Sequence, residues 1–355
     1  MSKKKGKITL YNLELSELEA LMAEWEEPRY RARQVWEWLY RHLVTEFDQM
    51  KSLPKALQER LAAETTLYIP PVLAQQASLD GETRKDLLQM EDGEQVEVVL
   101  MHYIDRLSAC LSTQVGCAIG CQFCATGQMG FVRNLTSGEI VSQALHLQRE
   151  LTARGEQLTN IVLMGMGEPL LNYDATLAAI RRFIDPQGFQ LGQRRITLST
   201  SGIAPAIRRL AGEGLQVNLA VSLHAATDDL RSRLMPINQK YPLDSLFGAL
   251  NDYLTKTNRR VTFEWALIQG VNDTSEQAEA LAARSQGMLV HVNLIPLNPT
   301  PGYSGQPPTP ESVERFTTVL DRRHINYTVR VRRGIDIQAG CGQLRRRENA
   351  APQQK

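Results

Sequence analysis

The chain has 355 residues, of which 43 % are apolar and 22 % are charged, the composition of a globular protein with material for two or three domains. The formal net charge of +1 excludes a polycation, so any nucleic-acid binding has to rely on local charge. No apolar run reaches the roughly 18 residues of a membrane span, and no apolar stretch follows the basic start Met1–Lys5. We therefore expect a cytoplasmic protein with no membrane partner.

The first part of the chain is predicted to be mostly helical. Apolar residues recur at i, i+3, i+4 and i+7 from Leu18 to Trp25, which is the spacing of one helix face. Ser16 with Glu19 fits a capping box at the start of that helix. Further helical segments follow, the last of them opening at Pro54. We expect a helical accessory domain over residues 1–68.

From residue 69 the pattern changes to short strands. Residues 83–90 and 95–100 are strand-like, and Glu91-Asp92-Gly93 between them has the composition of a tight turn. These features predict an antiparallel hairpin within a linker or extension over residues 69–102. Glu97 alternates with the apolar residues of its strand, so spacing alone predicts a solvated, outward-facing charge.

Strands and helices alternate through most of the remaining chain. Thr136 with Glu139 fits a capping box at the start of the first helix. The predicted helices are 137–154, 175–183, 202–210, 244–256 and 274–285, and the predicted strands are 160–164, 195–199, 217–223, 260–267 and 290–295. Alternation of this kind predicts an α/β fold with a parallel sheet. About six strands indicate a partial (βα)6 barrel over residues 103–320, followed by a C-terminal segment over 321–355.

Polar residues cluster after successive predicted strands: Glu168, Ser199, Ser222, His224 and Asn298. The carboxyl ends of barrel strands are where such folds bind ligands, although each residue alone could be a helix cap or an ordinary loop residue. In the turn Gly165-Met166-Gly167-Glu168 the glycines allow close backbone approach, and the carboxylate can pair with a ligand ammonium group. No phosphate-loop lysine follows, so a nucleoside triphosphate is not indicated.

Three of the five cysteines, Cys117, Cys121 and Cys124, lie within eight residues. Gathered thiols usually hold metal, and soft sulfur ligands suit an iron–sulfur cluster or zinc. The i, i+4, i+7 spacing also fits one buried helix face, but Gly116 and Gly120 disfavour a helix there. A structural zinc site normally has four protein ligands, and only one C-x-x-C pair is present. Three thiolates favour a cluster with one open metal position.

The combination of motifs resembles the radical S-adenosylmethionine (SAM) enzymes, which share C-x3-C-x2-C, and more narrowly the RlmN/Cfr family of RNA adenosine methyltransferases. The resemblance covers about Ile8 to Leu344. Pro169-Leu170-Leu171-Asn172 after Glu168 is similar to the RlmN branch, which modifies carbon 2 of adenine, rather than the Cfr branch, which modifies carbon 8. The other matching segments are Cys110–Cys117, Phe131–Leu135, Gly165–Asn172, Ser222–His224, Asn293–Pro299, Arg333–Ile337 and Cys341–Leu344.

The resemblance implies the cofactors and their ligands. Cys117, Cys121 and Cys124 would ligate a 4Fe–4S cluster whose open iron binds the amino and carboxylate groups of SAM. The rest of the SAM pocket would be formed by Gly167, Glu168, Ser199, Ser222, Leu223, His224 and Asn298.

The resemblance also implies a thiol relay. One SAM would methylate Cys341, and a second SAM would be cleaved reductively so that the S-methyl group loses hydrogen and adds to adenine. Glu97 would accept the ring proton, which replaces the outward-charge interpretation of this residue. Cys110 would then attack the Cys341 sulfur, which releases the product and leaves a disulfide that a reductant must reset.

The implied partners are 23S rRNA, tRNA and an electron donor such as a flavodoxin-type protein. Residues 321–355 hold nine Lys and Arg against three acidic residues, a local excess that suits a phosphate backbone but is also compatible with a solvated tail. Two alternatives remain open. The protein could be a Cfr-like carbon-8 enzyme, or a non-catalytic RNA-binding protein whose fold is stabilised by a structural zinc ion.

Overall fold

The computed structural model describes residues 7–300 and 302–330, and the first sixty of these are largely helical, as predicted. A short strand β1 (Ile8–Thr9) pairs in parallel with β2 (Thr65–Thr66). Between them lie α1 (Leu15–Glu24), α2 (Tyr30–Tyr40) and α3 (Lys55–Glu64), with single-turn 3-10 helices at 10–12 and 47–49. The aromatic residues of α2 lie in the core: Trp36 is fully buried, and its ring contacts Tyr40 with 4.5 Å between centroids.

Helix α1 begins before the predicted cap, so the capping box proposed for Ser16 and Glu19 was wrong. Glu14 occupies the cap position and forms the box with Glu17, whose Oε2 accepts the Glu14 N–H at 2.7 Å. A carboxylate at this end of a helix is stabilised by the helix dipole. Glu19 lies on the buried side and accepts a hydrogen bond of 2.8 Å from Arg29.

Four antiparallel strands follow the helices: β3 (Val72–Ala77), β4 (Thr83–Gln89), β5 (Gln95–Tyr103) and β6 (Arg106–Cys110). The predicted hairpin is confirmed as β4 and β5. Its turn is closed by the Met90 N–H, which donates to Glu94 O at 2.6 Å, and Gly93 adopts a φ of +88° that favours glycine. These strands join the same sheet as the parallel strands that follow, because β6 pairs with β9 (Asn160–Leu163).

The rest of the chain alternates strands and helices around this sheet, with boundaries within a few residues of those predicted. Helices α4, α8 and α11, hairpin β7–β8 and strand β14 were not predicted. The elements are β7 (Gln114–Gly116), α4 (Ala125–Gln128), β8 (Phe131–Asn134), α5 (Ser137–Ala153), β9, α6 (Tyr173–Ile184), β10 (Ile196–Thr200), α7 (Ala204–Ala211), β11 (Asn218–Ser222), α8 (Asp228–Leu234), α9 (Leu243–Thr257), β12 (Val261–Leu267), α10 (Ser275–Arg284), β13 (Val290–Pro296), α11 (Pro310–Arg322) and β14 (Tyr327–Val329).

Ten of the described strands form one sheet in the order β14-β13-β12-β11-β10-β9-β6-β5-β4-β3, whereas β1–β2 and β7–β8 are separate two-stranded sheets. Strands β9 to β14 are parallel to one another, and β9 is also parallel to β6, which pairs antiparallel with β5 on its other side. Strands β14 and β3 are the two edges among the described residues. The order is linear, so the parallel part is an open barrel segment. The alternation of these parallel strands with helices confirms the α/β class predicted from the sequence.

Side chains alternate between the two faces of the parallel strands. Ile161, Leu163 and Leu198 are fully buried in the hydrophobic core. The opposite, inner face is unusually polar, with Thr197, Asn218, Thr262, His291, Asn293 and Glu264 lining an internal cavity. Hydrophobic packing therefore fixes the helices outside, and the inside is left for polar ligands.

The N-terminal helices pack directly against the barrel. The Asn12 side chain accepts the Gly138 N–H at 3.0 Å, and its backbone carbonyl accepts a hydrogen bond of 2.9 Å from Arg182. One continuous hydrophobic core includes residues of both parts. Across the described residues, no helix combines the length and apolar character needed to cross a membrane.

Candidate active site

An open cavity lies at the carboxyl ends of the parallel strands. It has about 820 Å³ of empty space, part of it at the solvent-facing mouth, which suits a ligand of cofactor size. The structure places together eight of the predicted site residues in its lining: Cys117, Cys121, Cys124, Gly167, Glu168, Ser199, Ser222 and His224.

The three cysteines lie on a tightly folded loop between β7 and β8. The Cys117 N–H donates to Gly130 O at 2.8 Å. Gly116 has a φ of +74°, and a Cβ there would lie 2.0 Å from the same carbonyl oxygen. Gly127 packs against the next part of the loop, since its Cβ would lie 2.8 Å from Cys121 N. Glycine is therefore required at both positions for the three thiols to line one cavity.

The thiols fit a 4Fe–4S cluster better than a single metal ion. Within residues 7–300 and 302–330, no three His, Cys, Asp or Glu side chains are arranged to hold one ion. In a cluster each thiolate binds a different iron, so the sulfur atoms need not converge on one point. Burial raises the pKa of the Cys117 thiol to about 12, and burial also raises that of Cys121. Such thiols stay protonated unless bound metal supplies positive charge.

Glu168 is held rigidly beside the cluster loop. Its Oε2 accepts the backbone N–H of Ser201 at 2.6 Å and the Ser201 hydroxyl at 2.7 Å, while Oε1 accepts the Leu170 N–H at 3.0 Å. Burial raises the pKa of Glu168, and the Ser201 hydrogen bonds oppose this shift. Gly167, with a φ of +108°, lets the backbone pass close to Gln114. This arrangement presents a fixed carboxyl group to any ligand in the cavity.

His224 is a neutral hydrogen-bonding group in this site. Its Nδ1 accepts the Ala266 N–H at 2.8 Å, so the proton lies on Nε2. Burial, together with the charge of Arg231, lowers the pKa of His224 to about 3. The ring packs edge-on against Phe123 of the cluster loop, with 4.8 Å between centroids. Its φ of +56° is uncommon outside glycine and is held by the surrounding contacts.

Sequence reasoning missed several residues around the cavity. Ser201, Glu264 and Met235 line it, and the fully buried Arg231 lies directly behind its loops. Glu264 could have been found from the sequence, because a charge inside the apolar strand 261–267 is unusual. Arg231 gave no such signal, since an arginine in a short polar helix is ordinarily exposed.

Glu97 does not face solvent, so the interpretation based on strand spacing was wrong. Its side chain is buried and forms an ion pair of 3.0 Å with Lys85 of β4, which is fully buried as well. The register pairs Val99 with both Lys85 and Cys110, so Lys85, Glu97 and the buried Cys110 share one face of the sheet. Spacing could not show this, because the strand is covered on both faces.

The same face continues towards the cavity. Cys110 is in register with Val162 of β9, and Met164, two residues further, lines the cavity.

Three predicted positions are not part of the cavity lining. Leu223 is fully buried in the core, and Asn298 is half-buried outside the lining. Cys341 lies outside the described residues, as does most of the basic C-terminal segment. Of its arginines that the structure describes, Arg322 and Arg323 are paired with Glu279, which reduces their contribution to a phosphate-binding surface.

Comparison with known proteins agrees with this geometry. Residues 8–67 match the family model "Ribosomal RNA large subunit methyltransferase N-terminal domain", and residues 111–282 match "Radical SAM superfamily". A relative from Myxococcus xanthus, "Dual-specificity RNA methyltransferase RlmN 1", is 50 % identical over 336 residues, which cover 95 % of this chain and 94 % of that protein. The chain belongs to the RlmN family of radical SAM RNA methyltransferases. This confirms the family predicted from the sequence motifs.

Further members of the RlmN family and a solved structure agree. A "Probable dual-specificity RNA methyltransferase RlmN" from Symbiobacterium thermophilum is 48 % identical and covers 96 % of this chain and 92 % of its own length. The crystal structure of a radical SAM methyltransferase from Sphaerobacter thermophilus has a TM-score of 0.91 and 51 % identity, covering 95 % of this chain and 98 % of that one. Radical SAM enzymes use a 4Fe–4S cluster and SAM, so the predicted cofactors are confirmed.

Proposed function

We propose that this protein is a cytoplasmic enzyme that methylates carbon 2 of adenosine in 23S rRNA and in tRNA, through a methyl group carried by Cys341. The observation that carries the proposal is the convergence of Cys117, Cys121 and Cys124 with Glu168 and His224 in one cavity at the strand ends. The names of the relatives, which describe dual-specificity RNA methyltransferases, support the two classes of RNA.

In this proposal the cavity residues hold the two cofactors. Cys117, Cys121 and Cys124 bind the cluster, which when bound supplies the electron that cleaves SAM. The fixed Glu168 carboxyl group and the Nε2–H of His224 orient SAM by hydrogen bonds. The remaining predicted pocket residues are Gly167, Ser199, Ser222, Leu223 and Asn298, of which Leu223 and Asn298 act through their backbone or from outside the lining.

Two cysteines and one carboxylate carry out the transfer. Cys341 carries the methyl carbon and bonds to the adenine ring through it. Glu97 takes the proton from ring carbon 2, and its buried ion pair with Lys85 holds the carboxyl group in place. Cys110 then attacks the Cys341 sulfur, so that a sulfur–sulfur bond forms as the carbon–sulfur bond to the product breaks. A cellular thiol reductant has to reduce this disulfide before the next turnover, and a flavodoxin-type protein supplies the electrons to the cluster.

The target adenine must leave its stack to reach the methyl-carrying thiol, which costs roughly a few kcal/mol. Loops and single-stranded RNA lower this cost. The proposal therefore favours adenosines in loops of both RNAs.

The test uses anaerobically reconstituted enzyme with defined rRNA and tRNA fragments. Mass mapping of the modified adenosine separates carbon-2 from carbon-8 methylation. Cys110→Ala should accumulate protein covalently bonded to RNA, whereas Cys341→Ala should form neither product nor adduct. Colourless protein with stoichiometric zinc, or full activity of both variants, would refute the proposal.

A further inference from the structure

Arg231 of helix α8 is an arginine with no exposed surface, and its guanidinium joins several loops of the cavity. Nη2 donates to Ser201 O at 2.6 Å and to Ser222 O at 3.2 Å, and Nε donates to Leu223 O at 3.2 Å. The remaining nitrogen, Nη1, donates to the Asn238 side chain at 2.9 Å. Every acceptor is a neutral oxygen.

No carboxylate of the described residues contacts the Arg231 guanidinium directly, and Asp228 lies beyond Asn238, whose Nδ2 donates to Asp228 Oδ1 at 2.8 Å. Among the described residues, no carboxylate lies within salt-bridge distance of Arg231. Burial lowers the pKa of Arg231 to about 10, and Cys121 and then Asp228 oppose this shift. A buried charge that no carboxylate contacts costs several kcal/mol, so an anion that the functional protein supplies at this place would stabilise it.

The cluster loop is the source of negative charge next to Arg231. Cys121 packs against the small hydrophobic cluster that contains Leu230 and Leu234 of helix α8, the helix that carries Arg231. The same helix also contacts the loop directly, because Leu234 O accepts the Gln122 N–H at 3.0 Å. Three thiolates and a bound cluster carry net negative charge, and that charge is absent when the thiols are protonated.

We propose that Arg231 is the fixed positive charge that complements the thiolate-bound cluster, and that it positions the Ser201 and Ser222 ends of the SAM pocket. It acts through these loops and through its field, so it is a positioning residue. The inference rests on the cluster ligands given under the proposed function.

A fixed positive charge stabilises the reduced cluster more than the oxidised one, because reduction adds one negative charge. Removing this charge should make the cluster harder to reduce. We expect the ratio of reduced to oxidised cluster at a fixed potential to fall about tenfold, which is a shift of about 59 mV to more negative potential for one electron.

The experiment is a redox titration of anaerobically reconstituted holoenzyme without SAM, followed by the electron paramagnetic resonance signal of the reduced cluster. Arg231→Met removes the charge and keeps much of the side-chain volume. Arg233→Met is the matched control, because Arg233 is exposed and lies on the same helix. We expect full iron content in both, with a lower potential only in Arg231→Met.

Arg231→Gln gives a second route if Arg231→Met does not fold. It removes the charge and keeps an amide donor beside the loop carbonyls, so it should also lower the potential. Wild-type potential in an iron-loaded Arg231→Met or Arg231→Gln protein would overturn the inference alone. Wild-type protein that binds no iron would instead overturn the cluster assignment and the proposed function with it.

Discussion

A position can require glycine because its φ is positive or because a Cβ would clash with a neighbour. Three glycines of the cluster loop allow these two effects to be tested independently. Gly116 combines a positive φ of +74° with a steric conflict, since a Cβ would lie 2.0 Å from Gly130 O. Gly120 has a φ of +68° but nothing within 4 Å of its Cβ position, and Gly127 has only the steric conflict, at 2.8 Å from Cys121 N. The three alanine variants therefore form a matched series.

The expected costs follow from these contacts. Alanine in the left-handed region costs roughly 1–2 kcal/mol, which is the whole effect expected for Gly120→Ala. Forcing a methyl group into a packed site costs typically about 1–3 kcal/mol, which is the effect expected for Gly127→Ala. Gly116→Ala incurs both, and its clash is with a backbone oxygen that also accepts the Cys117 N–H. We expect it to cost more than about 3 kcal/mol and to displace Cys117.

The assay combines thermal unfolding of the cluster-free protein with iron content after anaerobic reconstitution. Gly120→Ala should lower Tm by only a few degrees and keep about the wild-type iron content. Gly127→Ala should be intermediate, and Gly116→Ala should lose most of its iron. Equal iron and equal Tm in Gly116→Ala and Gly120→Ala would refute the argument that Gly130 O fixes the loop.

Three further predictions concern other parts of the molecule. The pKa of His224 is about 3 in the folded protein, below its value in the unfolded chain. Its contribution to stability is therefore complete above about pH 6.5 and is lost as pH falls towards 3. The Tm of His224→Asn should fall less than the Tm of the wild type when the pH is lowered from 7.5 to 5.5. Lys85→Met leaves the buried Glu97 carboxylate without its lysine, so it should destabilise the protein by about 3–5 kcal/mol in urea unfolding, and adding Glu97→Gln should restore stability but not RNA methylation. Gly138→Ala places a Cβ 2.5 Å from the Asn12 side chain, so overpacking should lower the free energy of unfolding by about 1–3 kcal/mol. Tm should fall accordingly, and an unchanged Tm would contradict the tight packing of helix α5 against Asn12.

Much of the fold could be predicted because its signals are local. The capping box of Thr136 and Glu139 lies where expected, with Glu139 N–H bonded to the Thr136 hydroxyl. Buried parallel strands are continuous apolar runs, so their positions were clear. The cap of α1 was wrong because a neighbouring Glu14–Glu17 pair offers the same chemistry two residues earlier.

The site was predictable where a motif or a strand end marks the residue, as at Cys117 and Glu168. It was not predictable where tertiary contacts decide the role. The spacing around Glu97 indicates a strand, but it does not show that both faces of that strand are covered. The ion-pair partner, Lys85, lies on a different strand. Arg231 becomes part of the site only because the ends of β10 and β11 direct their carbonyls towards it.

The shared core of the N-terminal helices and the barrel has a consequence for protein engineering. Asn12 and Tyr11 form hydrogen bonds with side chains or backbone of helices α5 and α6, so the N-terminal helices cannot be transferred to another protein by themselves. Grafting them onto a relative's barrel would require exchanging the complementary helix surfaces together with them.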